Sequence, residues 1–215
     1  MIPPTSIDGT DITGATIDGT DVQEITVDGD VVFTAGPAII DDFEDGNLNE
    51  YNGDTSNWPI NTFDGSLALA ADGSGNEIYS TSGLANYPQR GDTVSYDIGI
   101  DSNPNWSRIH IGGDGRIAND TYAFEHFGGG PRSRGTLFKY SNGSRTAQID
   151  TFDFKSLPDD SLFTFTIEFA TNGDIIWTGP DGNVETTNDT DYTLGAIGFS
   201  NSPLTNNYFD NVKIL

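Results

Sequence analysis

The sequence predicts an all-β protein: an antiparallel β-sandwich of jelly-roll type preceded by a short repeat of β-hairpins. Three observations carry this expectation. From residue 38 onward, strand-like runs alternate with loops rich in Gly, Asn, Asp, Ser and Pro, and no window sustains a 3.6-residue apolar period with helix caps. Over residues 5–34, Asp-Gly steps flanked by β-branched residues recur at a spacing of ten, the pattern that closes tight hairpins. Ile, Leu, Val and Phe make up 50 of 215 residues, above the roughly 20% below which chains stop folding.

The repeat comes first. It reads Ile7-Asp8-Gly9-Thr10-Asp11-Ile12, then Ile17-Asp18-Gly19-Thr20-Asp21-Val22, then Val27-Asp28-Gly29-Asp30-Val31-Val32. So short a segment cannot bury a core by itself, and repeats of this size need neighbours to stack on. Residues 1–36 are therefore expected to anchor the chain or to bring copies of it together. Ala35-Gly36-Pro37 reads as a linker, and residues 37–215 as one sandwich domain. Its clearest strand runs lie at 66–70, 77–81, 93–100, 108–111, 122–127, 135–140, 146–152, 162–170, 175–178, 193–200 and 209–214. The stretch Thr164-Phe165-Thr166-Ile167-Glu168-Phe169 alternates strictly, as a strand with one buried face must. Many short strands separated by turns point to a sandwich.

Charge narrows the setting. The chain carries 9 Lys and Arg against 33 Asp and Glu, a formal net charge of -24. Such a surface repels phosphate backbones and anionic lipid, so neither nucleic acid nor membrane insertion is expected. Of the acids 26 are Asp, and Lys occurs only at 139, 155 and 213. Short carboxylates with few long apolar Lys stems read as adaptation to high salt, where the self-repulsion is screened. There is no Cys, which removes disulfides and thiolate chemistry. Met1-Ile2-Pro3-Pro4 begins no basic or apolar leader, and no run approaches 18 apolar residues.

Catalytic patterns are missing. Glu44, Glu50, Glu77, Glu125, Glu168 and Glu185 stand singly, whereas glycoside hydrolysis needs two carboxylates across the scissile bond. His110 and His126 form no His-Glu-x-x-His pair. The chain is not expected to be an enzyme. Binding has more support. Arg132, Arg134 and Arg145 fall close together beside Gly128-Gly129-Gly130 and Tyr140. His126, Phe127, Arg132 and Arg134 are expected to line an exposed loop, with Trp106 on another, while Trp58 and Trp177 read as core. Aromatic faces and Arg forks suit sugar rings and their carboxylates or sulfates.

The domain opens with Ile39-Ile40-Asp41-Asp42-Phe43-Glu44-Asp45-Gly46 and closes with Tyr208-Phe209-Asp210-Asn211-Val212. This pairing of end motifs resembles the jelly rolls of carbohydrate-binding modules and concanavalin-like lectin domains. The resemblance implies first and last strands lying side by side. It also implies a structural calcium held by acids from both ends, for which Asp42, Glu44 and Asp210 are the candidates. Hydrolases of the concanavalin-like class carry Glu-x-Asp-x-Glu on one strand, and that arrangement is absent.

The N-terminal Asp-Gly units resemble attachment segments of tail and decoration proteins of tailed viruses. With the salt-adapted composition, the chain looks like a virion surface protein of a haloarchaeal virus, a turret, spike or tail fibre. That resemblance implies a homo-oligomer, trimeric or pentameric, assembled in the host cytoplasm. It would dock on capsid or tail proteins and display the sandwich at the virion surface toward a host glycan. The alternatives are a cellular or secreted carbohydrate-binding module and, less favoured, a glycoside hydrolase or lyase on the same fold.

Overall fold

The computed structural model describes residues 37–70, 77–99, 106–127, 133–154, 161–202 and 207–215. Within the first 36 residues it describes the paired strands. The chain divides into two units, residues 1–38 with 215, and residues 39–214.

The first unit holds three antiparallel hairpins, each a two-stranded sheet of its own. β1 (Ser6–Ile7) pairs β2 (Thr10–Asp11), β3 (Thr16–Ile17) pairs β4 (Thr20–Asp21), and β5 (Glu24–Val27) pairs β6 (Asp30–Thr34). In each hairpin the two strands are separated in sequence by one Asp-Gly step of the repeat.

The second unit is a sandwich of two antiparallel sheets. Its strands begin with β7 (Ala38–Asp41), β8 (Asn52–Gly53), β9 (Ile60–Phe63), β10 (Ser66–Ala70) and β11 (Glu77–Ser80). They continue with β12 (Thr93–Gly99), β13 (Trp106–Ile111), β14 (Thr121–Phe127), β15 (Ser133–Ser141) and β16 (Ser144–Phe154). They close with β17 (Leu162–Phe169), β18 (Asp174–Thr178), β19 (Val184–Asn188), β20 (Ile197–Asn201) and β21 (Tyr208–Ile214). One sheet runs β19-β18-β17-β12-β21-β10-β9, with β7 also paired to β21; the other runs β16-β15-β14-β13-β20-β11-β8. First and last strands of the domain thus lie side by side, as the end motifs imply.

The core forms where the inner faces meet. On β17, Phe165, Ile167 and Phe169 are buried while the residues between them are not. Burying each such side chain is worth about 2–3 kcal/mol before entropy is counted. They meet Ile109, Ile111, Tyr122, Phe124, Leu137 and Phe199 of the opposite sheet. Trp58 and Trp177 join this core, as the sequence predicts. At its centre the Trp177 indole donates to the Tyr96 hydroxyl (3.1 Å), which lies 2.9 Å from His126 Nε2.

Three differences from the sequence reading have physical causes. β9 and β19 read Ile-Asn-Thr-Phe and Val-Glu-Thr-Thr-Asn. They are sheet-edge strands with one neighbour each, and edges tolerate polar residues. The run at 193–200 contains a strand only from Ile197. Before it Gly195 takes φ of 113° and the Thr193 carbonyl accepts from Gly113 N–H (2.9 Å), so the chain is still turning. β14 is buried from Thr121 to His126 on both faces, so the seven-stranded sheet carries a second, smaller packed layer on its outer side.

Candidate functional site

The outer face of the seven-stranded sheet is a grid fixed by register. Trp106, Phe127 and Arg134 are direct cross-strand partners on β13, β14 and β15 and form its first row. Two residues along lie Ser200, Arg108, Glu125 and Thr136, and beyond them Gly198, His110, Ala123 and Phe138. Thr121 and Tyr140 follow, with Arg145 of β16 opposite Tyr140. Period-two alternation puts all of these on one face.

Arg108 holds the second row together. Its Nε and Nη2 both donate to Glu125 Oε2, at 2.9 and 2.5 Å. Its guanidinium lies 3.7 Å from the Trp106 ring centroid and 5.4 Å from that of Tyr140. Arg108 and Glu125 are both buried, and a charge that deep persists only when paired. Beside them His110 places Nε2 2.8 Å from Ser200 Oγ and Nδ1 3.2 Å from Glu77 Oε1. Burial alone would raise the Glu77 carboxyl. Its bond to His110, that residue's charge and the Ile117 N–H (2.6 Å) hold it below the ordinary value instead.

The segment 112–120 folds back over the far rows. The Gly115 carbonyl lies against Gly198, where a Cβ would come within 2.0 Å of it. Ile117 packs on Ala123, Phe138 and Tyr140. Arg116 stacks over Tyr79, 5.0 Å from the ring centroid. The first row escapes this cover: Trp106 and Phe127 are half-buried and Arg134 is exposed. The Arg134 guanidinium lies 5.7 Å from the Phe127 ring centroid. Among the described residues the two rings and the cation thus lie side by side at one edge of the face, outside the cover of the 112–120 segment.

The structure brings Trp106, Phe127 and Arg134 together, although Trp106 and Phe127 end strands rather than sit in loops. It corrects the reading of His126. That side chain points into the core and is fully buried, and burial drives its pKa down to about 3. Strand alternation explains the error, since Phe127 beside it points outward. Arg132 and Asn103–Asn105 lie outside the described residues. Sequence reading missed Arg108, Glu125, His110 and the covering segment. The signal available was Arg108 and Glu125 falling within predicted strands, where an isolated charge needs a partner.

The acidic end motifs are a run of turns. Asp41 Oδ1 accepts from Phe43 N–H (2.8 Å), Asp42 Oδ1 from Glu44 N–H (3.3 Å) and Asp45 Oδ1 from Asn47 N–H (3.0 Å). Asp and Asn favour this local bond to the residue two ahead. Glu44 Oε1 accepts from the Ser66 hydroxyl (2.6 Å) and Leu67 N–H (3.1 Å). Asp210 is buried, and burial together with the Asp97 and Glu44 charges raises its carboxyl. Among the described residues no three His, Cys, Asp or Glu side chains converge to hold a metal. Asp42, Glu44 and Asp210 form no such group of three.

At the opposite end of β14 the Tyr122 hydroxyl donates to Asp189 Oδ1 (2.6 Å), and Lys139 bridges Asp189 and Asp191. A crevice of about 460 Å³ lies nearby, lined by Arg90, Thr171, Thr190 and Tyr192 among others. The Arg90 Nη2 there donates to the Asp189 carbonyl (2.6 Å).

No known protein family matches this chain, and no curated protein is significantly similar to it. Solved structures do share its fold. The carbohydrate-binding module CBM66 from Bacillus subtilis superposes with a TM-score of 0.56 at 17% identity, over 77% of this chain and 95% of that one. The Bacteroides ovatus mixed-linkage glucan GH16 in complex with a product gives 0.59 at 13% identity, over 81% and 98%. A toad ovary galectin in complex with N-acetylgalactose gives 0.46 at 12% identity, over 63% and 100%.

Proposed function

We propose that this chain is a non-catalytic glycan-binding protein whose ligand rests on the row Trp106, Phe127 and Arg134. The observation that carries the reading is that row: two half-exposed rings and an exposed cation in register at one edge of the sheet face. Sugar rings stack their C–H faces on aromatic rings, and guanidinium edges donate to hydroxyl or carboxylate oxygens. The Arg108–Glu125 pair beneath holds Trp106 in place. Two of the solved structures that share the fold are described as a carbohydrate-binding module and a glucan GH16, which agrees with this reading.

Binding is favoured over hydrolysis by the placing of the acids. Glu125 and Glu77 share the outer face, but β13 and β20 lie between their strands, a separation of about 14 Å at ordinary strand spacing. Glycoside hydrolysis places its carboxylates roughly 5–9.5 Å apart. Both are also engaged, by Arg108 and by His110.

Titration of the full chain against a panel of soluble oligosaccharides tests the reading. Trp106→Ala should weaken the best ligand at least tenfold, the loss usual for a central aromatic contact, in a chain that stays folded although its melting temperature falls, since Arg108 loses the ring it lies on. Equal affinity of the variant, or no binding across the panel, would overturn it.

The setting is a further proposal, favoured by the three separate hairpins of residues 1–36. A lone two-stranded hairpin is marginal in water, and its open edges seek strands. We read the segment as the attachment and oligomerisation part of a virion surface protein, a turret, spike or tail fibre, with the sandwich displayed outward. Sedimentation of the full chain should give a trimer or pentamer. A monomer at all concentrations would count against it.

A further inference from the structure

We propose that the ligand of this face is an acidic oligosaccharide, lying along β15 and β16 with carboxylate or sulfate groups on Arg134 and Arg145; this rests on the glycan reading above. The chain has six Arg among 33 acids, and four of them, Arg108, Arg116, Arg134 and Arg145, gather on or over the outer face of the seven-stranded sheet.

Each of the four lies over an aromatic ring, at 3.7 Å for Arg108 on Trp106, 5.0 Å for Arg116 on Tyr79, 5.7 Å for Arg134 on Phe127 and 4.8 Å for Arg145 on Phe138. Two of them are spent inside the protein. Arg108 is paired with Glu125, and Arg116 lies 3.7 Å from Asp114. Arg134 and Arg145 are exposed and make no ion pair among the described residues. Each guanidinium belongs to an exposed residue and lies near a ring, and its planar fork of donors suits a carboxylate or sulfate. A neutral ligand would give two such cations nothing to neutralise. In a molecule of net charge -24, an anionic ligand is repelled over most of the surface, so these two guanidinium groups, one of them opposite Asp153 of β16 in register, are what would hold it.

Spacing sets the size of the ligand. Arg134 stands at one end of β15, while Arg145 is the partner of Tyr140, six residues further along. At the usual rise this is about 20 Å, so a monosaccharide reaches one cation and an oligosaccharide reaches both. The path between them passes exposed Gln148 of β16 and, at the Arg134 end, its register partner Asp153.

The test measures binding of the full chain to polygalacturonate and sulfated galactan oligosaccharides, to neutral glucan and galactan oligosaccharides of equal length, and to galacturonic acid alone. The acidic oligomers should bind at least tenfold tighter than the neutral ones at low salt. Arg134→Gln and Arg145→Gln should each remove about tenfold of that preference and flatten its salt dependence. Galacturonic acid alone should bind weakly and respond to one substitution at most. Equal binding of acidic and neutral chains, or acidic binding indifferent to both substitutions, overturns the proposal while leaving the glycan reading intact. Absence of binding to any oligosaccharide overturns both.

Discussion

The Arg108 guanidinium lies 3.7 Å from the centroid of the Trp106 ring, two residues back on the same strand. One face of the indole is therefore occupied by a cation, and the proposed ligand would use the other face and the edge. Glu125 neutralises that cation from the neighbouring strand. The platform is thus built on a buried ion pair, which orients well but is fragile when one half is removed.

Glu125→Gln should accordingly be costly. It leaves a positive charge buried without its partner, a loss of about 3 kcal/mol, or a fall in melting temperature of about 6–12 °C at this size. Replacing both residues with Met should recover most of the stability while abolishing ligand binding. A single variant within 1 kcal/mol of the parent would show that solvent replaces Glu125. Thermal denaturation of the three proteins decides it.

Gly198→Ala tests the segment that covers the far rows. The new Cβ would sit 2.0 Å from the Gly115 carbonyl and 2.9 Å from that of Ile78, both backbone atoms that cannot swing aside. Overpacking of this kind costs about 1–3 kcal/mol. The strand is held on both sides, so the segment should yield and lift Ile117 from Phe138. Trypsin should then cut after Arg116 faster than in the parent. An unchanged cleavage rate with unchanged stability would mean that the segment does not press on β20.

The sandwich was readable in the sequence because each internal strand carries its own evidence. Thr164 to Phe169 alternates, and the buried positions are the apolar ones. The outer layer was not readable, because it depends on register. Nothing local says that Arg108 faces Glu125, seventeen residues away, or that Phe127 faces Trp106; only the β13–β14 pairing does. The same gap explains His126, assigned to a loop with its neighbour Phe127 and then separated from it by the pleat. The turns of the acidic motif at 41–47 are local instead: Asp41, Asp42 and Asp45 each accept from the N–H two residues ahead, so their signal lies within the motif itself.

Asp41 yields a pH prediction. Burial is the main cause raising its carboxyl to about 6 from 3.8; the Phe43 N–H bond opposes it, and the Asp45 and Asp42 charges add to it. The folded state thus holds this proton more tightly than the unfolded state. The associated stability is complete below about pH 3.8 and is lost as pH rises through about 6. Asp41→Asn keeps an oxygen for Phe43 N–H and removes the charge. It should therefore be more stable than the parent at pH 7–8, by about 1–2 kcal/mol after solvent screening. The difference should vanish near pH 4. A difference that is independent of pH would place the effect elsewhere.

Salt should move stability and ligand affinity in opposite directions. Among the described residues the ion pairs are few: Arg108 with Glu125, Arg116 with Asp114, Lys139 with Asp189 and Asp191, and His110 beside Glu77. Against 33 acids, most carboxylates have no cation of their own and repel one another over the surface. That repulsion reaches about 10 Å at 0.1 M salt and about 3 Å at 1 M. The folded state concentrates the charge more than the unfolded one, so screening favours folding. The melting temperature should rise by several degrees between 0.1 and 2 M KCl, and NaCl should act alike if screening is the cause. The attraction between an acidic oligosaccharide and Arg134 or Arg145 is screened by the same ions, so its affinity should fall over the same range. A melting temperature that stayed flat or fell with salt would remove the case for salt adaptation. An acidic-ligand affinity that rose with salt would show that stacking on Trp106 and Phe127, rather than charge, holds the sugar.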